Sequence, residues 1–365
     1  MAVYKIFASA DATLYSAYPT QNTGLDEILE VACKNSSVPS AVLSSGGGDD
    51  IRRAMIKFSG ADLNTAFRFF NTSGYTYDAY LRLYLATAEN LSKNYTLEIR
   101  EVSQSWTMGT GKFLDDPAAT NGVCWSTSDS ITPWVNPIYY NTPGGGNWVS
   151  GKISEDVFDY KDNKDINVQV NDIVNSWATT GTNNGFIVKF PIEVEQNSGS
   201  YIGLSFFSVD THTIYAPTLE FRWDDSTYDT SSLSVVDNSN IIVTIANNPG
   251  TFKYETSGYG GLYNFRIAAR DKFPARAFVT SSVYTVNKVL PATSYWAIQD
   301  VKTEEMVIDY DVNYTKISCD SNGSFFPFFT GGLEPERYYK ILIKIVLDSG
   351  ETIEIDNNSV FKIVR

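Results

Sequence analysis

Short segments in which apolar and polar residues alternate fill most of this chain, and Asn167–Phe190 shows the pattern best. Its first positions alternate, as in a half-buried strand. Ile173, Val174 and Trp177 then share one face of a helix too short to be stable alone, and the Asn-Asp pair before them could cap it. After a glycine-rich turn, the nearly continuous apolar run Phe186–Phe190 predicts a strand in the middle of a sheet. We therefore expect the helix to pack as a plug on a β-core.

The same period of two predicts strands through the first two thirds of the chain. Val3–Leu14 gives a first strand, interrupted at Asp11, and Ala61–Phe70 predicts a single helical turn. Tyr77–Thr87 and Tyr95–Glu101 alternate strongly, so we expect them to pair with each other, antiparallel, at the centre of one sheet. Further strands are predicted at Asp26–Lys34, Ile51–Phe58, Tyr201–Phe207 and Ala216–Trp223.

Ser103–Ser150 is a long connection rich in Trp, Gly, Pro and Asn. Connections of this length without regular structure are uncommon in compact domains and are often functional. Its aromatic residues could form a docking surface or stack on sugar rings; alternatively, its tryptophans pin the loop onto the sandwich beneath it. The residues predicted for a docking or glycan surface are Trp125, Trp134, Tyr139, Tyr140 and Trp148.

The last third of the chain starts a new series of short strands. After Trp223 the apolar run stops in a linker rich in Ser, Asp and Thr. Near the end, Leu333–Ile345 combines a leucine, a proline and two adjacent tyrosines with an alternating strand. This order resembles fibronectin type III and other immunoglobulin-like folds, in which Tyr338 or Tyr339 would be the corner residue whose hydroxyl bonds back to the backbone. The resemblance implies one larger or two small immunoglobulin-like sandwiches.

Six segments before that point follow one another in a characteristic order. They are Ala10–Tyr15 with the loop after it, Arg53–Phe58, Ala79–Leu85, Glu101–Thr107, Asn167–Phe190 and Pro217–Trp223. In this order they resemble the DNRLRE family, a jelly-roll β-sandwich related to carbohydrate-binding modules, over roughly Tyr4–Trp223. The predicted fold class is all-β: a jelly-roll β-sandwich with one short helix, followed by one or two immunoglobulin-like β-sandwiches. We expect domains at 1–225, with the aromatic loop at 103–150, at 226–290 and at 291–365, unless 226–365 form one unit.

Composition and charge narrow the function classes. The chain has 365 residues, 43% hydrophobic and 19% charged, as in folded globular proteins. Its net charge of −14, with no cluster of Lys or Arg, argues against nucleic-acid binding and against an anionic membrane surface. No apolar run is long enough for a membrane span, and the start lacks the features of a signal peptide, so we expect folding in a cytoplasm. Cys33, Cys124 and Cys319 are predicted to be buried, unpaired core residues.

No catalytic constellation emerges from the sequence. His212 is the single histidine, and it lies in a polar turn where a hydrogen-bonding role is ordinary. The adjacent carboxylates Asp115-Asp116, Asp224-Asp225 and Glu304-Glu305 lie in predicted loops, where such pairs usually face solvent. No cofactor is predicted, although Asp49-Asp50 and Asp115-Asp116 could contribute oxygens to a structural calcium ion. The sequence therefore predicts a protein that is not an enzyme.

The segments THTIYAPTLEFRWDD and GGLEPERYYKILIKI resemble virion structural proteins of tailed phages, notably of contractile-tailed cyanophages. This resemblance implies a structural component of the tail, neck, baseplate or fibre-attachment region, located in the virion and assembled in the host cytoplasm. Its partners would be other virion proteins and further copies of itself in a symmetric assembly. The alternative is a carbohydrate-binding or receptor-binding module for a host glycan that uses the aromatic loop. A polysaccharide lyase or hydrolase ranks below both.

Overall fold

A computed structural model describes residues 2–34, 50–91, 94–135, 144–158, 161, 165–197, 201–254, 261–273 and 287–365. Strands account for 48% of the chain and helices for 10%, which confirms the all-β prediction. The chain divides into two compact units. Unit 1 comprises Met1–Lys5, Arg68–Tyr77 and Phe221–Arg365, and unit 2 comprises Ile6–Phe67 and Asp78–Glu220.

The first eleven strands form one large, folded sheet. They are β1 (Ala2–Tyr15), β2 (Ile28–Lys34), β3 (Asp50–Phe58), β4 (Asp78–Leu83), β5 (Leu85–Glu89), β6 (Tyr95–Val102), β7 (Trp148–Phe158), β8 (Ile166–Gln169), β9 (Phe186–Lys189), β10 (Tyr201–Phe207) and β11 (Thr218–Trp223). The order is β5-β10-β2-β3-β1-β11-β4-β8, while β9 branches from β3 and continues through β6 to β7.

Strand β1 runs without a break through Asp11, so the predicted interruption there is wrong. Asp11 pairs with Ile56 of β3 in antiparallel register, and the irregularity in the ladder lies earlier, between Ala8 and Ala10. A carboxylate inside a strand suggests an end by propensity, yet here the side chain accepts a backbone hydrogen bond from Val209. The strand therefore continues with Asp11 buried inside the protein.

Helix α1 (Gly60–Ser73) is much longer than the single turn predicted at that place. Leu63, Ala66 and Phe70 are buried on it at a spacing of three and four residues, which is the apolar face of a regular helix. Two shorter helices follow in the described part of the chain: α2 (Asn171–Thr180) and α3 (Ile192–Glu195).

The segment from β8 through α2 to β9 follows the predicted order. Ile173, Val174 and Trp177 are buried, and Gly181 ends α2 in the left-handed conformation that glycine adopts readily. Strand β9 pairs with β3 on one side and with β6 on the other, which confirms its central position. The predicted cap is wrong. Helix α2 has no side-chain cap, because the Asn171 side chain instead accepts from Ala79 N and donates to Asp78.

Strands β4 and β6 are not neighbours, contrary to the prediction that they pair at the centre of one sheet. Strand β4 pairs with β8, whereas β6 lies between β7 and β9. Alternation along a strand shows which side chains are buried, but it carries no information on which strand lies beside it. The acidic segment that ends at Phe158 is strand β7, which pairs with β6.

Eleven further strands build the two sheets of unit 1. They are β12 (Ser234–Val235), β13 (Ile241–Ile245), β14 (Thr251–Lys253), β15 (Leu262–Asp271), β16 (Lys288–Val289), β17 (Ser294–Asp300), β18 (Met306–Ile308), β19 (Ser318–Asp320), β20 (Gly323–Phe329), β21 (Tyr338–Val346) and β22 (Thr352–Val364). One sheet has the order β12-β16-β15-β20-β19, with β13 also on β15, and the other has the order β14-β22-β21-β17-β18. A short 3₁₀ turn, Thr330–Gly332, follows β20.

A hydrophobic core joins the two sheets of unit 1. Strands from 226–290 and from 291–365 both contribute to it, and the Trp296 and Phe326 rings stack across it at 4.8 Å. The predicted tyrosine corner is present at Tyr339, whose hydroxyl donates to Glu334 O at 3.0 Å, whereas Tyr338 is exposed. Unit 1 is therefore a two-layer β-sandwich with its corner tyrosine bonded back to the preceding loop.

Candidate functional site

The structure separates the predicted site residues into three groups. Trp125 is 0% exposed and Trp134 is 3% exposed, so neither ring is available as a surface for docking or for a sugar. Trp148 is half-buried at the start of β7. Tyr139 and Tyr140 lie outside the described residues. For Trp125 and Trp134 the alternative interpretation holds, namely that they pin the loop onto the sandwich.

Asn22 holds the aromatic loop in place from within; in the sequence it was considered only as part of the loop after Ala10–Tyr15, with no role assigned to it. Its side chain is fully buried, and Nδ2 donates to Met108 O at 2.6 Å and to Val123 O at 2.8 Å. Its Oδ1 accepts from Gly111 N at 2.8 Å. At Gly109, an added Cβ would lie 2.3 Å from Asn22 Oδ1, so only glycine fits there. One amide therefore fixes three separate points of a long irregular segment.

The end of the loop closes over Arg53, a fully buried residue of β3. Its guanidinium lies 4.9 Å from the Trp125 ring and 5.4 Å from the Trp148 ring. It donates to Gly145 O and forms two hydrogen bonds to the Glu195 carboxylate, at 3.1 and 2.9 Å. A buried guanidinium requires such partners, because an unpaired buried charge costs several kcal/mol, as an order of magnitude. The loop thus completes the environment of a charge in the core.

Arg53 is the inner end of a row of alternating charges that we call the ion ladder: Arg53, Glu195, Lys189, Glu98 and Arg100. Lys189 Nζ lies 3.6 Å from Glu195 and 3.2 Å from Glu98, and Arg100 Nε lies 2.8 Å from Glu98. Burial lowers the pKa of Lys189, although Glu195 and Glu98 oppose that effect. Burial would raise the pKa of Glu98, but the bond from Arg100 and the charge of Lys189 outweigh it, and the pKa is lowered.

The outer end of the ion ladder opens into a cavity of about 370 Å³. Three cations, Arg53, Arg100 and Lys189, lie within 5.8 Å of the Trp148 ring, a distance typical of cation–π contacts. Among the described residues, the lining comprises Glu98, Arg100, Asn147, Trp148, Ser150, Lys189, Ile192 and Glu193. Trp148 is therefore the predicted aromatic residue that does line a cavity.

The outer side of the same loop carries apolar side chains. Ile131 is 83% exposed, Val135 74% and Leu114 62%. Ile131 lies in a tight turn in which the Asp129 carboxylate accepts hydrogen bonds from the backbone N–H groups of Ile131 and Thr132. These hydrogen bonds lower the pKa of Asp129, and the bond from Thr132 contributes most. The loop therefore buries Trp106, Trp125 and Trp134 and presents apolar groups from an ordered turn.

A second group of carboxylates lies near the turn after β10. Asp11 is 1% exposed; its Oδ2 accepts from Val209 N at 2.7 Å, and its Oδ1 has no partner among the described residues. Burial raises the pKa of Asp11 to about 8, with smaller contributions from Asp210 and Asp26. Burial likewise raises the pKa of Asp26 to about 6. In the folded protein the Asp11 carboxyl is thus mostly protonated, and therefore neutral, below about pH 8.

The remaining chemical candidates stay isolated from one another. His212 is exposed, and the three cysteines are buried and free, as predicted. Asp49, one of the residues weighed as a calcium ligand, lies outside the described residues. Within the described ranges, no group of three or more His, Cys, Asp or Glu side chains is arranged to hold a metal ion. No helix in the described part of the chain has the length and apolar character needed to cross a bilayer.

The charged residues around Trp148 were missed by sequence reasoning, although a signal for them exists. Lys189 interrupts an otherwise apolar strand, and Arg53 directly follows Arg52, so these two arginines point to opposite faces of β3. A charged residue on the buried face must find an internal partner. Comparison with known proteins adds no assignment, because the chain matches no protein-family model and no curated protein sequence.

Proposed function

We propose that this chain is a non-enzymatic structural subunit of a tailed-phage particle, placed in the tail, neck, baseplate or fibre-attachment region. It would assemble in the host cytoplasm, dock onto other virion proteins and occur as a symmetric homo-oligomer. Two segments whose amino-acid sequences resemble virion structural proteins support this proposal. The resemblance of the first two thirds of the chain to the DNRLRE family supports it as well.

The single observation that carries the docking role is the apolar outer side of the ordered loop. Large exposed apolar side chains that are held in one conformation lose little entropy when a partner covers them. Ile131 fits this description, because the Asp129 turn fixes its backbone and Gln104 donates to Ser128 and Pro133 beside it. Another virion subunit would cover Ile131 and Val135.

Quantitative mass spectrometry of purified particles tests the structural role, and the expected result is a fixed copy number per particle. Ile131→Asp, supplied in competition with the unmodified chain during assembly, should enter particles at least about tenfold less, because the interface would bury an unpaired charge. Val312→Asp, which alters another largely exposed apolar residue, in unit 1, is the matched control. Absence of the protein from particles would refute the structural role, and equal incorporation of both variants would refute docking through this turn.

The second candidate is carbohydrate or receptor binding, and the accessible part of Trp148 in the cavity favours it. An indole ring can stack on the apolar face of a sugar while neighbouring polar groups bind hydroxyls. A glycan array probed with the unmodified chain and with Trp148→Ala tests this function. Loss of a signal in the variant supports it, and the absence of a signal from both proteins contradicts it.

A further inference from the structure

Arg100 places an unused set of hydrogen-bond donors in the cavity beside Trp148. Its Nε donates to Glu98 at 2.8 Å, and neither Nη atom has a hydrogen-bond partner among the residues that the structure describes. The side chain is 20% exposed, so a ligand can reach it. Guanidinium groups bind carboxylates through paired, charge-assisted hydrogen bonds. Arg100 therefore offers an anion site within the cavity.

The charge of the ion ladder favours an anion at the same place. With Lys189 protonated, the ladder holds three cations against two carboxylates, so one positive charge is uncompensated. Lys189 donates hydrogen bonds to the Glu98 carboxylate and to Phe190 O, so Arg100 is the cation of the lining that can bind a ligand. Glu193 is the remaining carboxylate of the lining, and it is exposed to solvent. The excess positive charge therefore comes from the ladder with Arg53 included, because within the described lining Arg100 and Lys189 are balanced by Glu98 and Glu193. Replacing Glu193 by a neutral residue would leave that lining positive.

The other walls indicate what the anion is attached to. Trp148 and Ile192 are apolar, and Asn147 and Ser150 are the neutral hydrogen-bonding side chains of the lining. A sugar ring carries several hydroxyls, and each one that is buried without a partner costs binding energy. A carboxylate on a short methylene stem needs only the guanidinium and an apolar wall. The cavity therefore suits an acidic protein side chain better than it suits a saccharide.

We propose that this cavity accepts a glutamate or aspartate side chain from an extended segment of a second protein subunit. Its carboxylate binds the two Nη groups of Arg100, and its methylene groups lie against Trp148 and Ile192. The proposal rests on the docking function above, since it names the chemistry of one partner contact. An acidic saccharide shares the carboxylate and is the competing outcome of the test.

The experiment follows the tryptophan indole N–H signals of the ¹⁵N-labelled full chain by NMR. The chain has seven tryptophans, so few signals need assignment, and Trp148→Phe identifies the relevant one. The probe is the peptide Ac-Ala-Thr-Glu-Thr-Ala-NH₂, compared with the same peptide carrying Gln for Glu. We expect a saturable shift of the Trp148 signal with the glutamate peptide and roughly tenfold weaker binding of the glutamine peptide. Glu193→Gln should strengthen binding of the glutamate peptide.

Arg100→Gln should weaken binding of the glutamate peptide by the same factor, whereas Arg68→Gln, at an exposed arginine on α1, should leave it unchanged. Equal binding of the two peptides would overturn the anion site. Saturable binding of trigalacturonate without binding of the glutamate peptide would overturn the assignment to a protein side chain. If neither probe binds while the subunit keeps its fixed copy number in particles, the carboxylate site is refuted and the structural role in the particle stands.

Discussion

Replacing Asp11 by asparagine should make the protein more stable in alkaline solution and change little in acid. The pKa of Asp11 is raised from its ordinary 3.8 to about 8, first by burial and then by the charges of Asp210 and Asp26. Between these two pH values the folded chain keeps a proton that the unfolded chain releases. Stability therefore falls as the pH rises through this interval, and the loss is complete above about pH 8. Asparagine is neutral throughout and can still accept the hydrogen bond from Val209 N.

The size of the effect follows from the same two pKa values. At about 1.4 kcal/mol per pH unit, the interval from 3.8 to about 8 corresponds to roughly 6 kcal/mol. Relaxation of the structure around the ionised carboxylate reduces this value, so we expect a difference of about 3 kcal/mol between the two proteins at pH 9. At pH 5 only a little over a quarter of this interval has been passed, so the difference should be about 1 kcal/mol.

Urea unfolding at pH 5 and pH 9, followed by tryptophan fluorescence, measures the difference. Asp348→Asn, at an exposed aspartate, should show no such dependence on pH and serves as the control. If Asp11→Asn changes the free energy of unfolding by the same amount at both pH values, the carboxyl is not protonated in the fold and the reasoning fails.

Two further predictions concern single hydrogen-bonding side chains. Asn22→Ala leaves Met108 O, Val123 O and Gly111 N without their partner, so it should lower the free energy of unfolding by about 3 kcal/mol. It should also expose residues 109–122 to protease, which limited proteolysis with mass spectrometry measures. A loop that stays uncut would contradict this role of Asn22. Tyr339→Phe removes the hydrogen bond from the hydroxyl to Glu334 O and should lower the free energy of unfolding in urea by about 1 kcal/mol. Tyr338→Phe should change it by only about 0.3 kcal/mol. Equal effects of the two substitutions would argue against the tyrosine corner.

The features that sequence could predict are those set by near neighbours in the chain. The buried face of α2 depends on the spacing of Ile173, Val174 and Trp177, and the corner at Tyr339 depends on the residues just before it. The pairing of β4 and β6 was predicted wrongly because alternation along each strand fits many partners. Only the fold decides among them.

The candidate site was harder to predict, because its interactions join residues far apart in sequence. Asn22 bonds to residues 86 and 101 positions away, and Arg53 reaches Glu195 across 142 positions. In sequence Asn22 is one polar residue in a turn beside Pro19 and Gly24. The tryptophans of the loop were recognised as special, but their aromatic character is the same whether a ring faces solvent or packs over Arg53.

Residues near the start of the chain belong to unit 1, together with Arg68–Tyr77 and the last 145 residues, Phe221–Arg365. Val3 lies in the hydrophobic core of that unit, Tyr4 packs edge-on against Phe329, and Lys5 donates to Val307 O. During synthesis these first residues leave the ribosome early, and unit 2 is synthesised before the residues that they contact in unit 1 are available. Non-local contacts of this kind slow folding. A truncated chain starting at residue 226 would also lack Val3, so it would leave a gap in its own core and a strip of apolar surface open to aggregation.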